Sequence, residues 1–308
     1  MPVSVNLFGD CTSAVRGTGL GNCLKEFGDV VGVDIITKGT TWTSDPTEQS
    51  YKDDIQGLVS FPLNNVYNFE QNTPDNDQST GNTGLKNDIR AGKPEFAFMF
   101  DAGYCFHKNI YDKGGKNKWD LAIKFETGIL YASNVAETEI KGFDVNLFSV
   151  STFKFQQGTD PEMTTVNVQF SNATELNQRG VFYTWDELGF DGTLQNGAIN
   201  AHLEYQTAPT ASTTVSVKVL DECNRSVNVL GLADPNEWGL GGTQASATTI
   251  TGVVYNSSTE AYDLTVAPLL ASADTVQPFL QDVSGSFSSV AENSSGEFYK
   301  GQAPVATI

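Results

Sequence analysis

The apolar residues of this chain come in short runs that alternate with polar ones, and a period of two limits what such a chain can fold into. In residues 118–126, KWDLAIKFE, the side chains of Trp119, Leu121, Ile123 and Phe125 fall on one face, with Asp120, Lys124 and Glu126 on the other. In residues 151–171, STFKFQQGTDPEMTTVNVQFS, Phe153 and Phe155 alternate with Lys154 and Gln156, and Val166, Val168 and Phe170 alternate with Thr165, Asn167 and Gln169. Gly158, Asp160 and Pro161 supply turn chemistry between the two runs, so the stretch predicts a hairpin. One of its faces is apolar. The other carries Lys154, Gln156, Thr165, Asn167 and Gln169, a face of amides and hydroxyls that by itself reads as a wet sheet face, with contact to a water-filled bore or to another copy of the chain as the sharper alternative.

Further strands are expected at 30–37, 95–100 and 141–150, with one or two more and a short helix across 180–205. One clear helix is expected at 45–58: Asp45 can cap, Pro46 suits the first turn, Glu48 completes a capping box, and Tyr51, Ile55 and Leu58 form one stripe. Residues 64–93 are polar and read as a long loop. With 29 Gly, 11 Pro and 19 Phe, the composition favours short strands and turns over long helices, so the fold class is mainly β.

The length of 308 residues accommodates about two domains. The small-residue stretch 206–214, QTAPTASTT, reads as a linker between a barrel-like body at 1–205 and a second domain at 215–308. Past it, VSVKVL, SVNVLGL, TTITGVVY and AYDLTVAP read as short strands around Trp238, the pattern of an immunoglobulin-like β-sandwich.

Eighteen Lys and Arg against 37 Asp and Glu give a formal net charge of -19, which excludes a protein that grips nucleic acid by its phosphates. It leaves open one that lets duplex DNA pass. The start, MPVSVNLFGDC, has neither a basic nor an apolar leader region, and no run is long enough for a membrane anchor, so a cytoplasmic origin is expected. Cys11, Cys23, Cys105 and Cys223 show no regular framework, which predicts reduced, packed thiols.

Catalytic chemistry is sparse. Two histidines, His107 and His202, are too few for the common zinc sites. Cys105 and His107 would share a face on a strand, as a nucleophile and base or as two metal ligands, but a buried thiol beside an imidazole is the commoner use. DNDQSTG at 75–81 begins like a calcium loop, yet Gly81 is one place late and Lys86 stands where a bidentate Glu belongs. GTGLGNC lacks the dinucleotide spacing, and adjacent carboxylates such as Asp53 with Asp54, or Asp186 with Glu187, suit a solvated surface. No catalytic residue, cofactor or metal site is expected.

The order of a helix at 45–58, a loop at 64–93, strands at 95–126 and a long hairpin at 143–171 resembles the tail tube proteins of long-tailed bacteriophages. The C-terminal sandwich resembles the immunoglobulin-like decorations of virion proteins. The resemblance implies a two-sheet barrel with one flanking helix that closes into hexameric rings. Those rings would stack with other virion proteins into a tube, made in the host cytoplasm, through which genomic DNA transits. Alternatives are a major capsid protein, whose long spine helix is missing from the pattern, and a carbohydrate-binding surface adhesin, for which Tyr183 and Trp185 would be candidate aromatics.

Overall fold

The computed structural model describes residues 27–80, 86–90, 92–243, 249–268, 270–282 and 290–308. The chain is mainly β, with 23 strands and four α-helices among the described residues. Contacts divide it into two units, one of residues 1–52 and 59–195, the other of 53–58 and 196–308.

The first unit contains, in chain order, β1 (Val30–Thr37), β2 (Thr41–Trp42), α1 (Glu48–Gln56), β3 (Ser60–Asn64), β4 (Val66–Gln71), β5 (Asp77–Thr80), β6 (Lys86–Arg90), β7 (Glu95–Phe100), α2 (Gly103–Tyr111), β8 (Gly115–Lys116), β9 (Trp119–Phe125), β10 (Gly128–Ser133), β11 (Ile140–Lys141), β12 (Phe143–Val150), β13 (Thr164–Phe170), α3 (Ala173–Gln178), β14 (Gly180–Thr184) and α4 (Trp185–Leu188); the division into units falls within α1. Twelve of these strands form one branched sheet that curls as a half-barrel. Its two arms meet at β12. Phe143 and Asp144 pair with Leu121 and Asp120 of β9, a register shift follows between Val145 and Leu147, and the rest of the strand pairs with β13. Such an irregularity bends a strand and lets it serve two sheets.

The apolar faces meet between the arms of the branch. Phe98, Phe100, Leu121, Phe143, Val166 and Phe170 are fully buried there, with the Phe170 ring stacked on Phe143 at 5.1 Å and edge-on to Phe96 at 5.0 Å. Each phenyl so buried contributes roughly 1.5–3 kcal/mol. The second face of β9 is also covered, contrary to the alternation read from the sequence: Asp120 and Lys124 are 2% and 0% exposed. Ile36, Ala122, Ile129, Tyr131, Ile140 and Val181 make a second core on that side, with Trp42 and Trp185 packed against it.

Three other expectations need correction. The stretch 64–93 is not one loop: β4 pairs with β7, and β5 pairs with β6. Phe69 anchors β4, with its ring 5.7 Å from Phe96 and 5.3 Å from Phe98, a hold that two apolar residues in a polar strand do not advertise. Asp45 does not cap α1 but accepts from Tyr183 Oη at 2.8 Å; Thr47 and Ser50 bond reciprocally at the helix start. Two helices, α2 and α3, join those expected, and the short helix expected within 180–205 is α4, which ends on Gly189 at φ 73°. The glycine-rich stretch 16–23 and part of the calcium-like stretch 75–81 lie outside the described residues.

The second unit contains β15 (Ile199–Tyr205), β16 (Thr214–Asp221), a 3-10 turn (Pro235–Glu237), β17 (Trp238–Gly242), β18 (Thr249–Asn256), β19 (Ala261–Ala267), β20 (Thr275–Leu280), β21 (Val290–Glu292), β22 (Phe298–Lys300) and β23 (Ala306–Thr307). It is a sandwich of six strands, β18-β19-β16-β15-β22-β21, and three, β17-β20-β23, around one core that includes Trp238 and Tyr262. Trp238 Nε1 donates to Leu232 O at 3.0 Å. The stretch 206–214 is not a linker. It joins β15 to β16, which pair from Ala201↔Asp221 to Tyr205↔Val217, so the unit begins near residue 196. Small residues look alike in a linker and in a wide hairpin connection. SVNVLGL is irregular rather than a strand, with a single β-bridge between Leu220 and Asn228.

Candidate functional site

The hairpin exists, but its two parts do different things. β12 and β13 pair as regular strands up to Val150 and Val166, after which residues 151–163 form a narrow tip closed by the bridges Lys154↔Met163 and Gln157↔Asp160. Gly158, at φ 63°, adopts the left-handed backbone that the turn requires. The structure therefore splits the expected face. Lys154 and Gln156 lie on the exposed tip, while Thr165, Asn167 and Gln169 lie on the sheet.

On the sheet these three side chains are partnered or buried. Asn146 Nδ2 donates to Gln169 Oε1 at 2.7 Å, Gln169 Nε2 donates to Glu95 Oε1, and Asn167 Nδ2 donates to Ser151 Oγ at 2.9 Å. Thr165 is only 8% exposed. Beside them is a cavity of about 120 Å³ lined by Asn72, Glu95, Phe96, Leu147, Asn167 and Gln169, among others. β4, β7, β12 and β13 contain no Lys or Arg, and Lys116 stands at their border opposite Leu147. The surface is an amide network with carboxylates.

The tip builds a second feature with α2. Phe153 is buried, its ring 5.3 Å from His107 and 5.4 Å from Tyr104. Phe155 is 72% exposed beside it, and Tyr104 and Tyr111 are 61% and 58% exposed. His107 and Cys105 stand on a helix, not a strand; His107 is buried, with Nδ1 3.3 Å from Thr164 Oγ1. Cys105 is disulfide-bonded, as is Cys223. This overturns the expectation of reduced thiols and removes Cys105 as a nucleophile. Every other cysteine is far from each of them in sequence, so no short spacing announces the bonds.

A buried polar centre went unrecognised in the sequence. Lys124 Nζ is 2.7 Å from Asp34 Oδ1, and it donates to Asn64 Oδ1 at 2.9 Å and to Gly192 O at 3.0 Å. Tyr51 Oη donates to Asp34 Oδ2 at 2.6 Å. Burial pushes the Lys124 ammonium below its ordinary range, against the opposing pull of Asp34. The one available signal was Asp34 inside the largely apolar run of β1.

In the second unit, burial pushes the Glu237 carboxyl up to about 7, helped by the charges of Asp234 and Glu292 and opposed by its bond from Asp234 N–H. No group of three or more His, Cys, Asp or Glu side chains placed to hold a metal ion occurs among the described residues. No helix among them is long and apolar enough to cross a membrane. Comparison of the chain with protein-family models and with curated proteins finds no match.

Proposed function

We propose that this protein is a structural subunit that associates with copies of itself, forming the rings of a virion tail tube. The observation that carries the reading is the hairpin tip, where the exposed rings of Phe155 and Tyr104 pack on the buried Phe153 and Tyr111 exposes a third ring against His107, itself in contact with Phe153. A monomer gains nothing from such a surface, whereas a neighbour that covers it removes its apolar area from water. The amide network of Asn146, Asn167 and Gln169, free of cations on its own strands, would let duplex DNA pass without counterion-release affinity. The test is the oligomeric state by sedimentation and negative-stain microscopy. Wild type should form rings or tubes, and Phe155→Asp should shift it to monomer. A wild type that stays monomeric at high concentration and high salt overturns the proposal.

A second reading has its own observation. Disulfides at Cys105 and Cys223 are typical of chains that mature in oxidising surroundings, which favours a surface or adhesin role over a cytoplasmic one. Alkylation of the protein in its native cells, followed by mass mapping, separates the two: blocked thiols at both positions favour the assembly reading, and unreactive cystines favour the surface one.

A further inference from the structure

We propose that Lys124 and Asn64 become joined by an intramolecular amide bond, with Asp34 as the catalytic acid–base. The argument begins with register. Gly32 of β1 stands opposite Asn64 of β3 on one side and Lys124 of β9 on the other, so the three occupy one rung of adjacent strands. Two side chains separated by an intervening strand do not ordinarily meet. Here the intervening residue has no side chain: a Cβ on Gly32 would lie 3.1 Å from Asn64 Oδ1, 3.3 Å from Lys124 Cδ and 2.8 Å from Leu63 O. The glycine leaves the gap through which Lys124 reaches Asn64.

The chemistry follows from what fills that gap. Lys124 Nζ has three partners, Asp34, Asn64 and Gly192 O, and two of them are the groups an amide exchange needs: a carboxylate to take a proton and a carboxamide to attack. Asn64 Nδ2 is itself held, donating to Gln195 O at 2.7 Å, which fixes the plane of the carboxamide. Tyr51 Oη holds the other oxygen of Asp34. Lys124 and Asp34 are 0% and 1% exposed, so water does not compete for the carboxamide. A charged pair at such depth carries a desolvation penalty, and conversion of the amine to an amide removes it.

The step balances without any oxidant or cofactor. Asp34 takes a proton from the Lys124 ammonium, leaving a lone pair on Nζ. That pair forms a bond to Asn64 Cγ as the carbonyl π pair moves onto Oδ1. A second proton passes from Nζ, by way of the Asp34 carboxyl, to Nδ2. The Cγ–Nδ2 bond then breaks, its electrons leaving with the nitrogen as ammonia, and the carbonyl re-forms. Of the two protons Lys124 loses, one leaves on ammonia and one stays on Asp34. Holding amine and amide on one rung replaces a bimolecular encounter with a local one, which is where the rate comes from.

The test is mass spectrometry of the purified chain after reduction and alkylation of its cysteines. Wild type should be lighter by one ammonia than its sequence with four alkylated cysteines, the sequence mass used throughout this test, and proteolysis should release a branched peptide joining the segments that contain residues 64 and 124. Asn64→Ala and Asp34→Ala should both return to the sequence mass and lose the branched peptide. Wild type at its full sequence mass overturns the proposal. So does the lighter mass without a branched peptide, because an asparagine that cyclises elsewhere also loses ammonia. The measurement on wild type decides the matter even if a variant fails to fold.

Discussion

Lys124 shows how much a single side chain can set. Fully buried and bonded to Asp34, it cannot be removed alone, because an uncompensated carboxylate would remain in the core. Measured against Asn64→Ala, where no amide can form, adding Lys124→Met is expected to cost about 3–5 kcal/mol in urea denaturation, and adding Asp34→Leu as well to recover most of that loss. Glu237 gives a pH signature instead. Its carboxyl is raised from 4.5 to about 7 in the folded state, so between those values the native protein binds the proton more tightly than the unfolded chain does. Stability of the second unit therefore falls as pH rises from about 4.5 to about 7, where the penalty is complete. Glu237→Gln should flatten that slope in thermal melts, and an unchanged slope would assign it to other groups.

At the scale of elements, the hairpin tip places neighbouring phenylalanines in opposite surroundings. Phe153→Ala is expected to cost about 3–5 kcal/mol, since the ring is buried against His107 and Tyr104, while Phe155→Ala should stay within about 0.5 kcal/mol in the monomer. Chemical denaturation of the two variants checks this. The sequence reading put both rings on one apolar face, because alternation reports the period of a strand and not where the strand leaves its sheet. The same limit explains β9, whose alternation is real although both faces are covered. Asp120 and Lys124 looked solvated only because nothing local announces the core on that side. What was legible were elements whose own residues decide them: Val30–Thr37, Glu95–Phe100 and Trp119–Phe125 are strands as expected, and Trp238 is a core residue. What was not legible depended on distant partners: the disulfides of Cys105 and Cys223, the pairing of β4 with β7, and the meeting of Lys124 with Asn64 across Gly32.

For the whole molecule, the boundary at residue 196 makes a prediction that the boundary at 215 would not. A fragment of 196–308 with Cys223→Ser should fold cooperatively, followed by the emission of Trp238, its one tryptophan, whereas a fragment starting at 215 leaves β16 without the partner that spans Ala201–Tyr205 and should fail. Equal folding of both fragments would make β15 dispensable. The branch at β12 has a mechanical consequence for the first unit. Because this strand is bonded to β9 at its start and to β13 beyond, a pull on the tip at 151–163 runs along the strand into the middle of the sheet. The load is then shared in shear by several ladder bonds instead of peeling them one at a time from an edge, so a chain pulled by that tip resists being drawn out lengthwise far better than it resists being pried sideways.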